Sequence, residues 1–118
     1  MPRTVPRRTN HDAIREAAER HVDANEPIWW VWLDEPPERV LCQRGVHDVN
    51  VIGALVCNRI AFRVLETDRT DVCVVTSDVP MCVITMPEGF MRGFVGCMRA
   101  NHLTGRYRKS GTEQEYRF

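Results

Sequence analysis

Between residues 10 and 24 the apolar positions Ile14, Ala17, Ala18 and Val22 recur at spacings of three and four, which predicts an amphipathic helix with one buried side. Thr9 followed three residues later by Asp12 resembles a capping box at its start, and Pro27 bars its continuation. Residues 28–33 read Ile-Trp-Trp-Val-Trp-Leu, with no polar alternation, so the expectation is a central strand covered on both faces. Asp34-Glu35-Pro36-Pro37-Glu38 predicts a turn, because neither proline can donate to a ladder, and residues 39–44 then return as a second strand to complete a hairpin.

Gly45 ends that strand, and Asp48 is placed to cap a helix through residues 49–58. Apolar residues cover most of its circumference, so it is expected to lie against the sheet with little exposed. Farther on, Ile60, Phe62 and Val64 stand at strand spacing, while Ile52, Val56, Ile60 and Val64 also form a helical ladder; the preferred reading is a strand over about 60–66. Residues 71–77 and 81–86 are β-branched strands, and Pro87 opens a helix over 88–102. One side of that helix carries Phe90, Met91, Phe94, Val95 and Met98, and another carries the small residues Gly89, Gly93, Cys97 and Ala100.

The resulting order, α-β-β-α-β-β-β-α, predicts a single α+β domain with a mostly antiparallel sheet and about three helices. A basic arm over 1–9 precedes it, the domain spans 10–104, and residues 105–118 form a C-terminal hairpin or a tail. As a hairpin with Ser110-Gly111 in a two-residue turn, the segment would set Arg108 opposite Glu113 and Arg106 opposite Glu115.

The 118 residues suit one domain, and 16 basic side chains against 16 acidic ones leave no whole-surface field for nucleic acid or an anionic membrane. Any such binding must therefore be local; fifteen of the basic residues are arginine, the better fork for phosphate and carboxylate, and one is Lys109. The first twenty residues contain no apolar signal core and no run approaches a membrane span, so the expected setting is the cytoplasm, away from membranes. Five cysteines is an odd number, and Cys57, Cys73 and Cys82 lie in apolar runs, which predicts small buried thiols and no disulfide framework.

One pattern invites chemistry. Residues 42–47 and 97–102 both run Cys-x4-His with arginine third. Zinc needs four converging ligands, however, and Cys97 and His102 would stand about 140° apart around a continuous helix, so coincidence outweighs a metal site. Cys42 with His47 or His102 is the one nucleophile–base pair to consider, and no nucleotide loop or nucleophile elbow accompanies it. Asp68, Asp71 and Asp78 flank strands as the carboxylates of Mg²⁺ nucleases do, but solvated turn residues are the plainer reading.

Nucleic-acid contact would fall to Arg3, Arg7 and Arg8 at one end and to Arg106, Tyr107, Arg108 and Lys109 at the other. The leading expectation is a non-catalytic domain without cofactor or metal that binds another protein, as an accessory regulator or inhibitor of the sort phages encode. Self-association as a homodimer is included, with Gly89, Gly93 and Cys97 as the close-approach surface. The alternatives are a nucleic-acid-binding protein using the Arg-rich ends, and a small zinc-binding protein or Cys-dependent enzyme.

Overall fold

In a computed structural model, residues 8–77 and 79–118 of the chain are described, with side chains from residue 12 onward. Arg3, Arg7, Asp78 and the side chains of Arg8 and Thr9 therefore lie outside the described residues. The elements run α1 (Arg8–Asp23), β1 (Ile28–Leu33), β2 (Arg39–Gln43), α2 (His47–Cys57), β3 (Phe62–Glu66), β4 (Val72–Ser77), β5 (Val83–Pro87), α3 (Glu88–Ala100), β6 (Gly105–Lys109) and β7 (Glu115–Arg117). This is the α+β order read from the pattern, including the strand at β3.

The strands divide into two antiparallel sheets, β5-β1-β6-β7 and β2-β4-β3. β1 is central, as expected, but it does not form a hairpin with β2. Its two edges are taken by β5 and β6, so the proline-rich turn carries the chain from one sheet to the other. Nor is β1 covered on both faces. Val31 and Leu33 are buried, while Trp30 keeps 36% of its surface and Trp32 is half-buried. An all-apolar strand conceals this period of two, which the backbone imposes regardless of side-chain type.

α2 and α3 pack on each other and on strands of both sheets, so Val31, Ile84, Val40, Val75, Leu55 and Phe94 belong to one core cluster. Five consecutive residues of α2, Val51 to Leu55, are buried, as expected for a helix apolar all round. Helix α2 begins one residue before Asp48, whose carboxylate sits in the first turn and accepts from the Gly45 and Val49 N–H groups, both at 2.8 Å; it is not the N-cap. α3 is capped from a distance. The Glu26 carboxylate accepts the Gly89 N–H at 2.7 Å and also bonds His21, and chiefly the His21 bond holds its pKa below the ordinary value of 4.5.

Both interior helices stop by the same device. Arg59 and His102 adopt left-handed φ values of 56° and 60°, and the bonds Ile60 N–H to Leu55 O (3.0 Å) and Leu103 N–H to Met98 O (2.9 Å) close Schellman turns. The asparagine just before each turn then grips a sheet edge. Asn58 accepts the Thr85 N–H and donates to its carbonyl (3.2 and 2.6 Å), and Asn101 does the same for Leu41 (2.8 and 2.9 Å). Each side-chain amide thus stands where a neighbouring strand's peptide would, which satisfies edge groups of β5 and β2 that would otherwise be open to pairing.

Residues 105–118 form a hairpin that completes the larger sheet, but its register differs from the expected one. Arg108 faces Glu115, Tyr107 faces Tyr116 and Arg106 faces Arg117. The connection is longer than two residues because Thr112 folds back, its N–H and hydroxyl both donating to the Lys109 carbonyl (3.1 and 2.7 Å). At Gly105 a Cβ would collide with the Trp32 carbonyl and the Phe118 ring, so only glycine lets β6 enter the sheet there. Among the described residues no helix is long and apolar enough to cross a membrane.

Candidate functional site

The β1 register turns Trp30 and Trp32 to the face of the larger sheet opposite the core, with Val83 and Thr85 across on β5 and Arg106 and Arg108 across on β6. The two indoles stack at a centroid distance of 5.9 Å, with planes 15° apart. The Arg106 and Arg108 guanidinium carbons lie 5.0 and 5.4 Å from the Trp32 ring centroid, close enough for cation–π contact. Arg and Trp thereby hold one another in place with no covering layer among the described residues. Val83 at 46% exposure and Ile28 at 36% continue the apolar surface along the strands.

Carboxylates edge the face. Arg106 lies 3.8 Å from Glu115, and Arg117 donates to Asp34 at 3.0 Å. Asp34 also accepts the Thr104 hydroxyl at 2.7 Å, and this bond, reinforced by Arg117, lowers its pKa from the usual aspartate value. Arg108 is different, because its buried Nε has no hydrogen-bond partner among the described residues. Three arginines against two carboxylates leave the face only weakly cationic.

The nucleic-acid candidates at the C-terminal end are split by this geometry. Arg106 and Arg108 point outward, whereas Tyr107 and Lys109 alternate to the inner face, with Tyr107 5.8 Å from Trp29. The four do not form one patch. Of the small residues of α3, Gly89 and Ala100 are exposed and Cys97 is buried, and a Cβ at Gly89 would strike the His21 ring and one at Gly93 the Asn50 side chain. The close approach they allow is to α1 and α2 of the same chain.

The two Cys-x4-His segments do meet, but through their sulfurs. Cys42 Sγ and Cys97 Sγ are 3.7 Å apart with both residues at 0% exposure, and Cys73 lies directly across the ladder from Cys42. The hydrogen bond shared with Cys97 and the burial raise the Cys42 pKa far above the ordinary thiol range, the environment of an inert thiol. The histidines are used for the backbone: His47 opens α2 and His102 is the left-handed residue that ends α3. Among the described residues no three His, Cys, Asp or Glu side chains are placed to hold a metal. All five cysteines are free; Cys73 is buried, Cys57 half-buried, and Cys82, expected inside, is exposed because it precedes β5 in the crossing between sheets. Asp68 is exposed, and Asp71 is held by both Nε and Nη2 of Arg69 (3.1 and 2.7 Å).

The outward tryptophans are the site residues that the hydrophobic pattern hides. A signal for them exists in β6, where Gly105, Tyr107 and Lys109 alternate with Arg106 and Arg108, but reading it requires knowing that β6 pairs with β1. No family model, no curated protein and no solved structure matches this chain.

Proposed function

We propose that the protein is a non-catalytic binding domain that docks another protein on the outer face of the β5-β1-β6-β7 sheet. The observation that carries this reading is the outward pair of exposed Trp30 and half-buried Trp32, stacked together and braced by Arg106 and Arg108. Tryptophan and arginine are the residues most enriched among interface hot spots, and their mutual contact restricts their rotamers before a partner arrives. The partner is expected to offer apolar side chains to Trp30, Ile28 and Val83 and a carboxylate to Arg108, which makes no ion pair among the described residues although Glu115 stands across the ladder from it.

A nucleic acid fits this face less well. Its phosphates would have to compete with Glu115 and Asp34 for Arg106 and Arg117. Photo-crosslinkers placed at Val83 and, as a control, at Glu16 on α1 test the proposal in the native host. A protein adduct from position 83, absent from position 16 and lost in an Arg108→Glu background with unchanged melting, is the expected result. An adduct destroyed by nuclease, or equal adducts from both positions, would overturn it. Light scattering on the same samples tells whether the partner is a second copy, since one chain weighs 13.7 kDa.

A further inference from the structure

On the other side of the same sheet, α3 does not reach across to β7, and a cleft of about 530 Å³ opens between the helix and the uncovered strands. That volume is in the range of small-molecule sites. Its floor is aromatic: Trp29 lies 5.8 Å from Tyr107 with the ring planes 57° apart, and Tyr107 stacks on Tyr116 at 5.3 Å, so a row of rings runs across β1, β6 and β7. Its wall is the face of α3 bearing Arg92, Gly96 and Arg99. The two arginines are seven residues apart, roughly 10 Å along the axis, with the glycine between them. Lys109, across the ladder from Trp29, adds a third cation on this face. Glu88 is the one acidic lining residue, and it accepts the Trp29 Nε1–H at 3.1 Å.

Gly96 is the residue that packing does not explain. Its φ is not left-handed, and a Cβ built there finds no atom nearer than His47 Nε2 at 4.0 Å, unlike Gly89 and Gly93 on the same helix. Glycine inside a helix is destabilising relative to alanine. What its missing side chain provides here is open space in the wall of the cleft that Arg92 and Arg99 also line.

We propose that this cleft is a binding site for a nucleoside phosphate, with the base against one ring of the Trp29–Tyr107–Tyr116 row and the phosphate held by Arg92 and Arg99. A planar ring is what the floor accepts, and a compact anion is what the wall attracts. The site is separate from the protein-docking face, because Trp29 and Trp30 point to opposite sides of the sheet, and either proposal can fail without the other.

The test is NMR titration of the full chain with AMP, GMP, CMP and UMP, with adenosine and inorganic phosphate as controls and a five-nucleotide single strand as a separate arm. The Trp29 indole N–H, bonded to Glu88, is the reporter. It should shift saturably with the nucleotides while the Trp30 and Trp32 indoles stay put, and adenosine and phosphate should each bind about tenfold more weakly or worse. The oligonucleotide arm separates a free nucleotide, if the mononucleotides bind as tightly, from a strand, if the oligomer binds at least about tenfold more tightly. Gly96→Leu should fill the cleft and weaken binding about tenfold or more without lowering the melting temperature; Arg92→Glu with Arg99→Glu, both on the surface, should do the same if the leucine variant fails to fold. No Trp29 shift at millimolar nucleotide, equal affinity for adenosine, or undiminished binding by a folded Gly96→Leu or double-glutamate variant would each overturn the proposal.

Discussion

The two faces of the β5-β1-β6-β7 sheet differ in a way that side-chain size does not anticipate. The face toward the helices carries Val31, Leu33, Ile84 and Met86, all buried, whereas the opposite face carries Trp30 and Trp32, the larger and more costly residues to expose. Hydrophobicity alone would assign the core to the tryptophans. The difference teaches that burial follows from which side α2 and α3 approach, and that the tryptophans outside are candidates for contact with something beyond the chain.

The comparison is broken most directly by truncating one residue from each face. Ile84→Ala on the helix side should cost about 2–5 kcal/mol, with a correspondingly lower midpoint in urea unfolding, because it leaves a cavity in a close-packed layer. Next in size is the sheet's edge. Asn58→Ala removes the amide that brackets Thr85, leaving a part-buried N–H and carbonyl without their partner, and should cost about 2–3 kcal/mol in the same assay.

Trp30→Ala on the outer face should cost about 1.5–3 kcal/mol, from the stacking on Trp32 and the part of the ring its neighbours cover, while abolishing the crosslink from position 83. A loss equal to that of Ile84→Ala would erase the distinction between the faces. The smallest effect expected is in acid. Because the folded-state pKa of Glu26 lies below its ordinary value of 4.5, its contribution is present above that pH and is lost as pH falls through the lowered value. Melting temperature should therefore drop more steeply below about pH 4.5 in the parent than in Glu26→Gln, in which that proton uptake is removed. Parallel acid profiles would show that the link from Glu26 to His21 and to the start of α3 does not contribute to stability.

The local periodicities were enough to order the elements. The stripe in α1, the all-round apolarity of α2, the β-branched runs of β4 and β5 and the apolar side of α3 each report a preference that neighbouring residues establish by themselves. Less was legible at the candidate site. In residues 28–33 every position is apolar, so alternation carries no information there, and the outward direction of Trp30 and Trp32 depends on the pairing with β5 and β6. The glycines of α3 posed the same difficulty: Gly89, Gly93 and Gly96 look alike in the chain, yet the first two face side chains of α1 and α2 and the third faces an open cleft.

The repeated Cys-x4-His segment shows the same limit. Spacing set Cys97 and His102 about 140° apart only for a helix running through both, whereas α3 ends at Ala100 and His102 is left-handed, so that argument does not apply to the folded chain. That Cys42 and Cys97 touch, that His102 ends α3 and that Asn101 grips Leu41 are facts of tertiary structure. The sequence by itself determined which segments become helix or strand, because those preferences act over a few residues. Only the tertiary structure decided which strands share a sheet and which face meets the helices, because contacts between distant segments are set by the packing of the whole chain.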